Sequence, residues 1–203
     1  MTRLVVVSAG LSVPSSTRLL ADRLRDAVVE ALDEVDVEVI ELRDLAHQVT
    51  DHLLTGFAGP ELAAALGSVR EADGLVVVTP VFSASYSGLF KSFFDVLEEG
   101  VLDGTPVLVA ATGGTARHSL VLEHALRPLF SHLHAVVVPT GVFAATDDFG
   151  DAGLDRRIDR AAGELAALMG KVDPTAPRRR RTVEDELADP TPFEELLRRS
   201  GEA

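Results

Sequence analysis

Apolar residues along the chain fall into two recurring patterns. Short apolar or alternating runs predict buried strands at residues 3–8, 36–42, 74–78, 107–111 and 135–139. Apolar residues spaced three or four apart predict helices at residues 19–32, 61–70, 89–97, 117–132 and 154–170. We expect irregular connections at residues 43–59 and 141–150.

Strands and helices alternate five times, which indicates an α/β fold with a doubly wound, five-stranded parallel sheet. We expect the flavodoxin-like strand order 2-1-3-4-5. In that order the first, third and fourth strands are neighbours, so the loops that follow them meet at one edge of the sheet. Open α/β sheets bind their ligands in such a crevice, beyond the carboxyl ends of the strands.

The stretch 79–97 (TPVFSASYSGLFKSFFDVL) joins the third strand to a helix. We expect Pro80 to end the strand, because proline has no N–H to donate to the ladder. Residues 83–87 are small and polar and predict a loop, after which Gly88 permits a close backbone approach.

The helix at residues 89–97 is apolar around most of its circumference and contains three phenylalanines, Phe90, Phe93 and Phe94. One face of a sheet cannot cover such a helix. We therefore expect a homodimer or homotetramer in which a partner helix covers the remainder.

The composition allows one well-buried domain, which we place at residues 1–172. The chain has 203 residues, of which 46% are hydrophobic. Residues 173–203 differ in character, because they combine four consecutive arginines with prolines and acidic residues. We expect a charged tail with a short helix near its end, since Thr191, Pro192 and Glu194 match a capping box.

Charge and residue usage exclude several classes of protein. The formal net charge is −13 and the basic cluster lies in the tail, which argues against a nucleic-acid ligand. The chain has no cysteine, so disulfides, thiolate metal sites and cysteine nucleophiles are excluded.

No apolar run reaches the about 20 residues that a membrane span needs, and we expect a cytoplasmic protein. His47 and His52 have the wrong spacing for metal ligands on one helix face, so no metal site is predicted.

The loop after the first strand is rich in hydroxyl groups and leads into a helix. It includes Ser8, Ser15, Ser16 and Thr17. Unpaired N–H groups and the helix dipole both favour an anion at such a place, so we predict a phosphate site. The loop matches neither GxxxxGK[ST] nor GxGxxG, which argues against a dinucleotide site. Capping of the helix by Ser15 or Ser16 is an alternative explanation of the same hydroxyls.

The loops after the third and fourth strands carry few charges and many backbone polar groups. Such walls suit a planar, uncharged heterocycle, because N–H and C=O groups contact its edges while apolar atoms cover its faces. Together with a phosphate site they describe a binding site for flavin mononucleotide (FMN). Tight turns at strand ends explain each loop separately, but their joint placement favours FMN.

Two segments resemble the NADPH-dependent FMN reductase family. They are the stretch 79–97 and the stretch 111–143 (ATGGTARHSLVLEHALRPLFSHLHAVVVPTGVF). The resemblance covers residues 3–171 and is greatest to flavin reductases that supply reduced FMN to alkanesulfonate and related monooxygenases. It implies FMN and NADPH as ligands and a flavin-dependent monooxygenase as a possible partner.

The same resemblance implies the residues of the site. Those around the FMN phosphate would be Ser8, Ser15, Ser16 and Thr17. Those around the isoalloxazine ring would be Pro80, Val81, Phe82 and Ser83 on one side and Thr112, Gly113 and Gly114 on the other, with His118 nearby. The resemblance also places His124 in a π-type bulge at a subunit interface, although an ordinary surface histidine is the alternative.

The reaction implied is transfer of a hydride from NADPH to N5 of the flavin, and the flavin carries that chemistry. The protein supplies position and hydrogen-bond donors toward the flavin edge where negative charge develops. No catalytic side chain is therefore predicted. A basic residue is expected at the 2′-phosphate of NADPH, with Arg117 and Arg18 as candidates.

Two other functions stay open on the same fold. A quinone, azo-dye or chromate reductase would hold FMN tightly, and a flavodoxin-like electron carrier would need no pyridine nucleotide site. Retention of flavin through purification separates the first from an FMN reductase, and NADPH oxidation in the presence of FMN separates the second.

Overall fold

Valine-rich segments form a central sheet, and the segments between them form helices on both of its faces. The computed structural model describes residues 2–32 and 34–170. That part of the chain forms seven strands, β1 Thr2–Ser8, β2 Val35–Glu41, β3 Gly74–Phe82, β4 Ser85–Tyr86, β5 Pro106–Gly113, β6 Val136–Val137 and β7 Val142–Ala145. It also forms six α-helices, α1 Ser16–Glu30, α2 Leu42–Thr55, α3 Pro60–Glu71, α4 Gly88–Asp95, α5 Arg127–His132 and α6 Ala152–Met169.

The strands lie in the order β2-β1-β3-β5-β6, and β7 pairs with the later part of β5. All of these pairs are parallel. With β6 and β7 taken as two halves of one strand, this is the order 2-1-3-4-5, so the predicted flavodoxin-like α/β fold is confirmed. The additional strand β4 runs antiparallel to the end of β3.

The edge strand is interrupted, which the sequence did not predict. β6 pairs with the first two residues of β5 and β7 with its last four, and a short irregular segment separates them. The prediction of a loop at residues 141–150 is therefore wrong for residues 142–145. A loop was expected there because a glycine and a proline precede this apolar run.

Side chains from two helices hold the interruption in place. Arg127 donates hydrogen bonds to the carbonyl oxygens of Val138 (2.9 Å) and Pro139 (2.5 Å). Thr140 donates its backbone N–H (2.7 Å) and its hydroxyl (2.8 Å) to the carboxylate of Glu164 on α6. Desolvation raises the pKa of Glu164, but the two Thr140 hydrogen bonds and Arg160 outweigh it, so the net shift is downward.

Most of the segment at residues 43–59 forms helix α2, so the prediction of an irregular connection is wrong. The helix has buried residues spaced three and four apart, namely Leu42, Leu45 and Val49. Leu53 and Leu54 on the same helix are exposed, and they obscure the amphipathic period in the sequence.

Strand β3 continues past Pro80 to Phe82, so the prediction that Pro80 ends the strand is also wrong. The carbonyl of Val78 accepts a hydrogen bond from Ala9, just after β1 ends (2.9 Å). Successive residues of a parallel strand face alternate neighbours, so Pro80 faces the side on which β1 no longer runs. The missing N–H of Pro80 therefore removes no hydrogen bond between β3 and β1. On the other side of β3, Pro80 still pairs in register with Thr112 of β5.

The core has two parts, one on each face of the sheet. Helices α1 and α6 cover one face through residues such as Leu24 and Leu165. Helices α2 to α5 cover the other through residues such as Val49, Phe90 and Phe130. Because both faces are covered, the central strands β1, β3 and β5 are buried along most of their length, as their apolar sequences require.

The phenylalanines of α4 are buried within the single chain. Phe90, Phe93 and Phe94 are at most 2% exposed. The ring of Phe94 lies 4.8 Å from that of Phe90 and 4.9 Å from that of Phe130. Each such buried ring stabilises the fold by about 1.5–3 kcal/mol. The sheet, α2 and α5 cover these rings, so the rings do not require a partner helix, and the expected homodimer or homotetramer stays a prediction.

The helix predicted at residues 117–132 is divided into three parts. A 3₁₀ turn, Ala116–His118, precedes a π-helix, Leu122–Leu126, which leads directly into α5. The π-type bulge predicted at His124 is confirmed, and His124 is exposed on it. Its place at a subunit interface stays a prediction.

The tail predicted at residues 173–203 lies outside the described residues, as does its predicted helix. Within the part of the chain that the structure describes, no helix is both long and apolar enough to cross a membrane.

Candidate functional site

The loop after β1 folds back against the first turn of α1. Ser15 is the N-cap, and its Oγ accepts a hydrogen bond from the N–H of Arg18 (3.2 Å). A Cβ atom on Gly10 would lie 2.2 Å from that Oγ, so the loop requires glycine there. Capping by Ser15 is thus confirmed. It leaves the N–H groups of Ser16 and Thr17 without partners inside the helix, since the first turn has none to offer.

Three buried hydroxyl groups lie at the carboxyl ends of the strands. Thr17 and Thr112 are joined through their Oγ1 atoms (2.8 Å), which links the start of α1 to the end of β5. Ser8 at the end of β1 is fully buried, and its Oγ has no hydrogen-bond partner among the described residues. An unpaired buried hydroxyl is costly, so a polar group that reaches Ser8 would stabilise this region.

The end of β3 turns sharply into β4. The two residues at the turn have left-handed backbones, Ser83 at φ 48° and Ala84 at φ 64°, as a type I′ hairpin requires. Such a backbone costs about 1–2 kcal/mol for a residue other than glycine. The turn holds Phe82 at the tip of β3, where it is 47% exposed. Ser87 then caps α4 by accepting from the N–H of Phe90 (3.2 Å).

Gly113 is the last residue of β5 and Gly114 follows it, and a side chain would have different surroundings at each. A Cβ atom on Gly113 would lie 3.0 Å from Cζ of Phe143 on β7, so it would press against the ring of that residue. A Cβ atom on Gly114 would meet nothing within 4 Å. Gly114 is therefore the position at which a side chain would extend into open space.

The three loops together enclose an open cleft of about 390 Å³, which we call the loop cleft. This volume falls within the range of about 300–1,000 Å³ that small-molecule sites occupy. The residues that line it are Leu11, Ser12, Ser15, Ser16, Thr17, Pro80, Val81, Phe82, Thr112, Gly113, Gly114 and Thr146. None of these described lining residues is ionisable, so the cleft offers hydroxyls, backbone groups and apolar surface.

Nine of the twelve predicted site residues line the loop cleft, and three do not. Ser8 lies beneath the first loop, fully buried. Ser83 is exposed in the hairpin turn. His118 is exposed on its 3₁₀ turn, where its Cβ lies 3.6 Å from the position that a Cβ on Gly113 would take.

Three residues of the cleft were not among the predicted site residues: Leu11, Ser12 and Thr146. Thr146 directly follows β7. Recognition of the Val-Phe-Ala-Ala run as a strand would have placed it at the carboxyl edge of the sheet. For Leu11 the sequence gives no signal, because its position depends on the path of the first loop.

Carboxylates surround the arginine nearest to the cleft. Arg18 donates through Nε to both carboxylate oxygens of Asp22 (3.0 Å each) and through Nη1 to Glu41. Asp22 also accepts from Nη1 of Arg25 (2.8 Å). The hydrogen bond to Glu41 is the main reason that the pKa of Arg18 is raised. Arg117, the other candidate cation, is exposed and has no ion pair or hydrogen bond among the described residues.

A second cavity, of about 400 Å³, lies between helices and away from the loops. We call it the helix groove. It is lined by residues of α2 and α3, by residues that follow α2 and by the segment after α4, including His52, Phe57, Leu66, Arg70, Leu97 and Glu98.

Comparison with known proteins gives a consistent result. A relative in Pseudomonas aeruginosa, described as FMN reductase (NADPH), is 43% identical and covers 83% of this chain and 92% of its own. The NADH-dependent FMN reductase SfnF of Pseudomonas fluorescens is 40% identical over the same shares. A crystal structure of an oxidoreductase from Corynebacterium diphtheriae is 50% identical, with a TM-score of 0.83, and covers 85% of this chain and 99% of its own.

The match to a family model agrees with these relatives. The model described as NADPH-dependent FMN reductase matches residues 2–150. That range includes the three loops of the cleft and the whole of the stretches 79–97 and 111–143. The chain belongs to the NADPH-dependent FMN reductase family.

Proposed function

We propose that the protein is an NAD(P)H-dependent FMN reductase, which transfers a hydride from NADPH to FMN. The observation that carries this proposal is the loop cleft, in which a helix start with free N–H groups lies beside two uncharged loops. Two of its relatives are described as FMN reductases that depend on NADPH or on NADH, which supports the same activity. We further propose that the reduced FMN serves a separate flavin-dependent monooxygenase.

The first loop fits the phosphate of FMN. Ser15, Ser16 and Thr17 line this end of the cleft, and the helix start provides N–H groups and a favourable dipole. The unpaired Oγ of Ser8 is a further polar atom at the same end of β1. Hydroxyl and N–H donors can bind a phosphate without a charged side chain. The described residues that line this end of the cleft would have to bind it in that way, since none of them is charged.

The other two loops fit the isoalloxazine ring. Pro80, Val81 and Phe82 form one wall, and Thr112, Gly113 and Gly114 form the other. We place Ser83 and His118 at the rim. FMN, when bound, supplies the acceptor for the hydride. The residues of the chain bind and orient it, and no general base is required.

Arg117 is the better of the two candidates for a contact with the 2′-phosphate of NADPH. It follows the β5 loop directly and is free of carboxylate partners among the described residues, whereas Arg18 is engaged by Asp22 and Glu41. Substitution of Arg117 by Gln should raise the KM for NADPH about tenfold, equivalent to about 1.4 kcal/mol, and leave the KM for NADH unchanged.

We also propose that residues 1–172 form one domain and that residues 173–203 form a separate tail. We further propose that the enzyme is cytoplasmic and that it forms a homodimer or homotetramer. The support for self-association is apolar surface near the end of α2, where Leu54 and Phe57 are about four-fifths exposed. A second copy of the chain is the partner that we propose for this surface.

The function is tested by NADPH oxidation with and without added FMN. We expect oxidation to depend on added FMN and reduced FMN to accumulate under anaerobic conditions. No oxidation with FMN present would contradict the proposal and favour an electron carrier. Oxidation with quinone but not with free FMN, by protein that retains flavin through purification, would favour a quinone, azo-dye or chromate reductase.

A further inference from the structure

Arg18 is a cation in a place where the helix disfavours one. It lies in the first turn of α1, whose dipole is positive at that end. It follows directly after Thr17, which lines the loop cleft. A phosphate bound at the helix start would offset the unfavourable interaction between this arginine and the helix dipole.

Its charge is nevertheless directed away from such a ligand. The Nε atom is 3.0 Å from each oxygen of Asp22, and Nη1 is bonded to Glu41. Glu41 is the last residue of β2 and is paired in register with Ser8 of β1. The carboxylate therefore reaches Arg18 from the same edge of the sheet at which the phosphate site lies.

The local charges leave no net positive charge. Arg18 and Arg25 are positive, Asp22, Asp26 and Glu41 are negative, and these five residues are joined by ion pairs. The side chains of Arg18, Arg25, Asp22 and Glu41 are partly shielded from solvent, so their interactions are screened less than those of fully exposed charges. A phosphate monoester carries close to two negative charges at neutral pH, and this cluster presents it with no net positive charge.

We propose that Glu41, assisted by Asp22, withholds the charge of Arg18 from the FMN phosphate, so that FMN binds as an exchanging substrate and not as a permanently held group. The inference rests on the proposed function, because it concerns the same cleft. It makes Glu41 a positioning residue that sets flavin affinity without contacting the flavin.

The test compares dissociation constants of the wild-type protein and Glu41→Gln, measured by the change in flavin fluorescence on binding. Release of Arg18 from one of its two carboxylate partners should lower the Kd for FMN roughly fivefold to tenfold at low salt, with a smaller effect as salt is added. Asp22→Asn should act in the same direction and serves if Glu41→Gln fails to fold.

Three controls separate this explanation from a general effect on the loop. Riboflavin lacks the phosphate, so its Kd should be the same for Glu41→Gln and wild type. Asp26→Asn removes an equal charge from α1 further from the cleft, at a residue bonded to Arg25 but not to Arg18, and should leave the Kd for FMN unchanged. In an Arg18→Gln background the Glu41→Gln substitution should lose most of its effect.

The outcomes are distinct. An equal Kd for FMN in wild type and both carboxylate variants overturns this inference alone, as does an equal gain in riboflavin affinity. Weaker FMN binding by Glu41→Gln also overturns it, since Glu41 would then hold Arg18 in a productive position. A wild-type protein that binds no FMN overturns the proposed function, and the inference fails with it.

Discussion

The loop cleft and the helix groove have nearly equal volumes, about 390 and 400 Å³, but they differ in what surrounds them. The cleft lies where three loops leave neighbouring parallel strands, so its walls contain a helix start, hydroxyls and backbone groups. The groove is lined largely by side chains of α2 and α3 and of the segments that follow α2 and α4. Cavity volume alone would not distinguish the two, whereas the chemistry of their walls does.

The groove has charged side chains in its wall, whereas the described residues that line the cleft include none. Arg70 and Glu98 form an ion pair across the groove with 3.8 Å between Nη2 and Oε2, and no equivalent pair is found among the described residues of the cleft. The exposed apolar surface near the groove, including Phe57, is suited to contact with another protein surface. We propose small-molecule binding at the cleft and self-association at the groove, and the following substitutions test that division.

The largest effect is expected for Gly10→Ala. The new Cβ would lie 2.2 Å from Oγ of Ser15 and would displace the cap of α1. We expect FMN affinity to fall roughly 100-fold, equivalent to about 2.7 kcal/mol, and stability to fall by about 1 kcal/mol through the lost cap. Flavin titration and thermal unfolding measure the two effects. Gly67→Ala, at a helix position beside the groove where a Cβ meets nothing within 4 Å, should leave FMN binding unchanged.

The next effect concerns the hydroxyl pair that joins two walls of the cleft. Thr17→Val or Thr112→Val alone leaves one buried hydroxyl unpaired, which should cost about 1–3 kcal/mol of stability. The double variant should cost less than the sum of the two, because no unpaired hydroxyl remains. Chemical unfolding of all four proteins gives the coupling energy, and strict additivity would contradict the hydrogen bond.

The two glycines at the end of β5 should respond differently. Gly114→Val places its side chain in open space, so we expect FMN affinity to fall about tenfold, equivalent to about 1.4 kcal/mol, with stability unchanged. Gly113→Val presses on Phe143 and should lower stability by about 1–3 kcal/mol. The difference arises because a Cβ atom on Gly113 points at the ring of Phe143, whereas one on Gly114 has no neighbour within 4 Å. Equal loss of stability in both variants would contradict this distinction.

The groove is tested by Phe57→Ser. Phe57 is 80% exposed, so its loss should change the stability of the single chain by no more than about 0.5 kcal/mol. We expect it to shift the assembly toward monomer in light scattering while FMN affinity stays the same. Val29→Ser, which removes a partly exposed apolar side chain from α1, is the matched control. A wild-type protein that is monomeric at micromolar concentration would contradict self-association.

The smallest effect is a dependence of stability on pH, outside both cavities. The folded state lowers the pKa of Glu164, so its contribution to stability is present above the pKa of the unfolded chain and is lost as pH falls through the folded pKa. The difference in melting temperature between wild type and Glu164→Gln should therefore be greatest near neutral pH and shrink toward acid. A difference that stays constant with pH would contradict this role.

The sequence was most informative where burial dictates residue type. The valine-rich strands β1, β3 and β5 are buried on both faces, so their apolar runs were unambiguous and the strand order followed. The sequence was least informative where the structure of a segment depends on where a neighbouring strand ends, or where exposed apolar residues hide the pattern of buried ones. Pro80 continues a strand because β1 ends beside it, and α2 was obscured by the exposed Leu53 and Leu54.

The candidate site divides in the same way. Strand ends identified the three loops, and nine predicted residues line the cleft. The I′ turn at Ser83 and Ala84 was not predicted, because it contains neither asparagine nor glycine. The ion pairs of Arg18 were not predicted either, because Glu41 approaches it from a different strand.

The interruption between β6 and β7 has a consequence for how copies of the chain can meet. An edge strand with a continuous row of unpaired N–H and C=O groups is a template for edge-to-edge aggregation. Here β6 has two residues and β7 four, with Pro139 between them and carbonyls already bonded to Arg127. This edge offers an incoming strand no continuous row of backbone groups with which to pair, so ordered assembly through this edge is disfavoured.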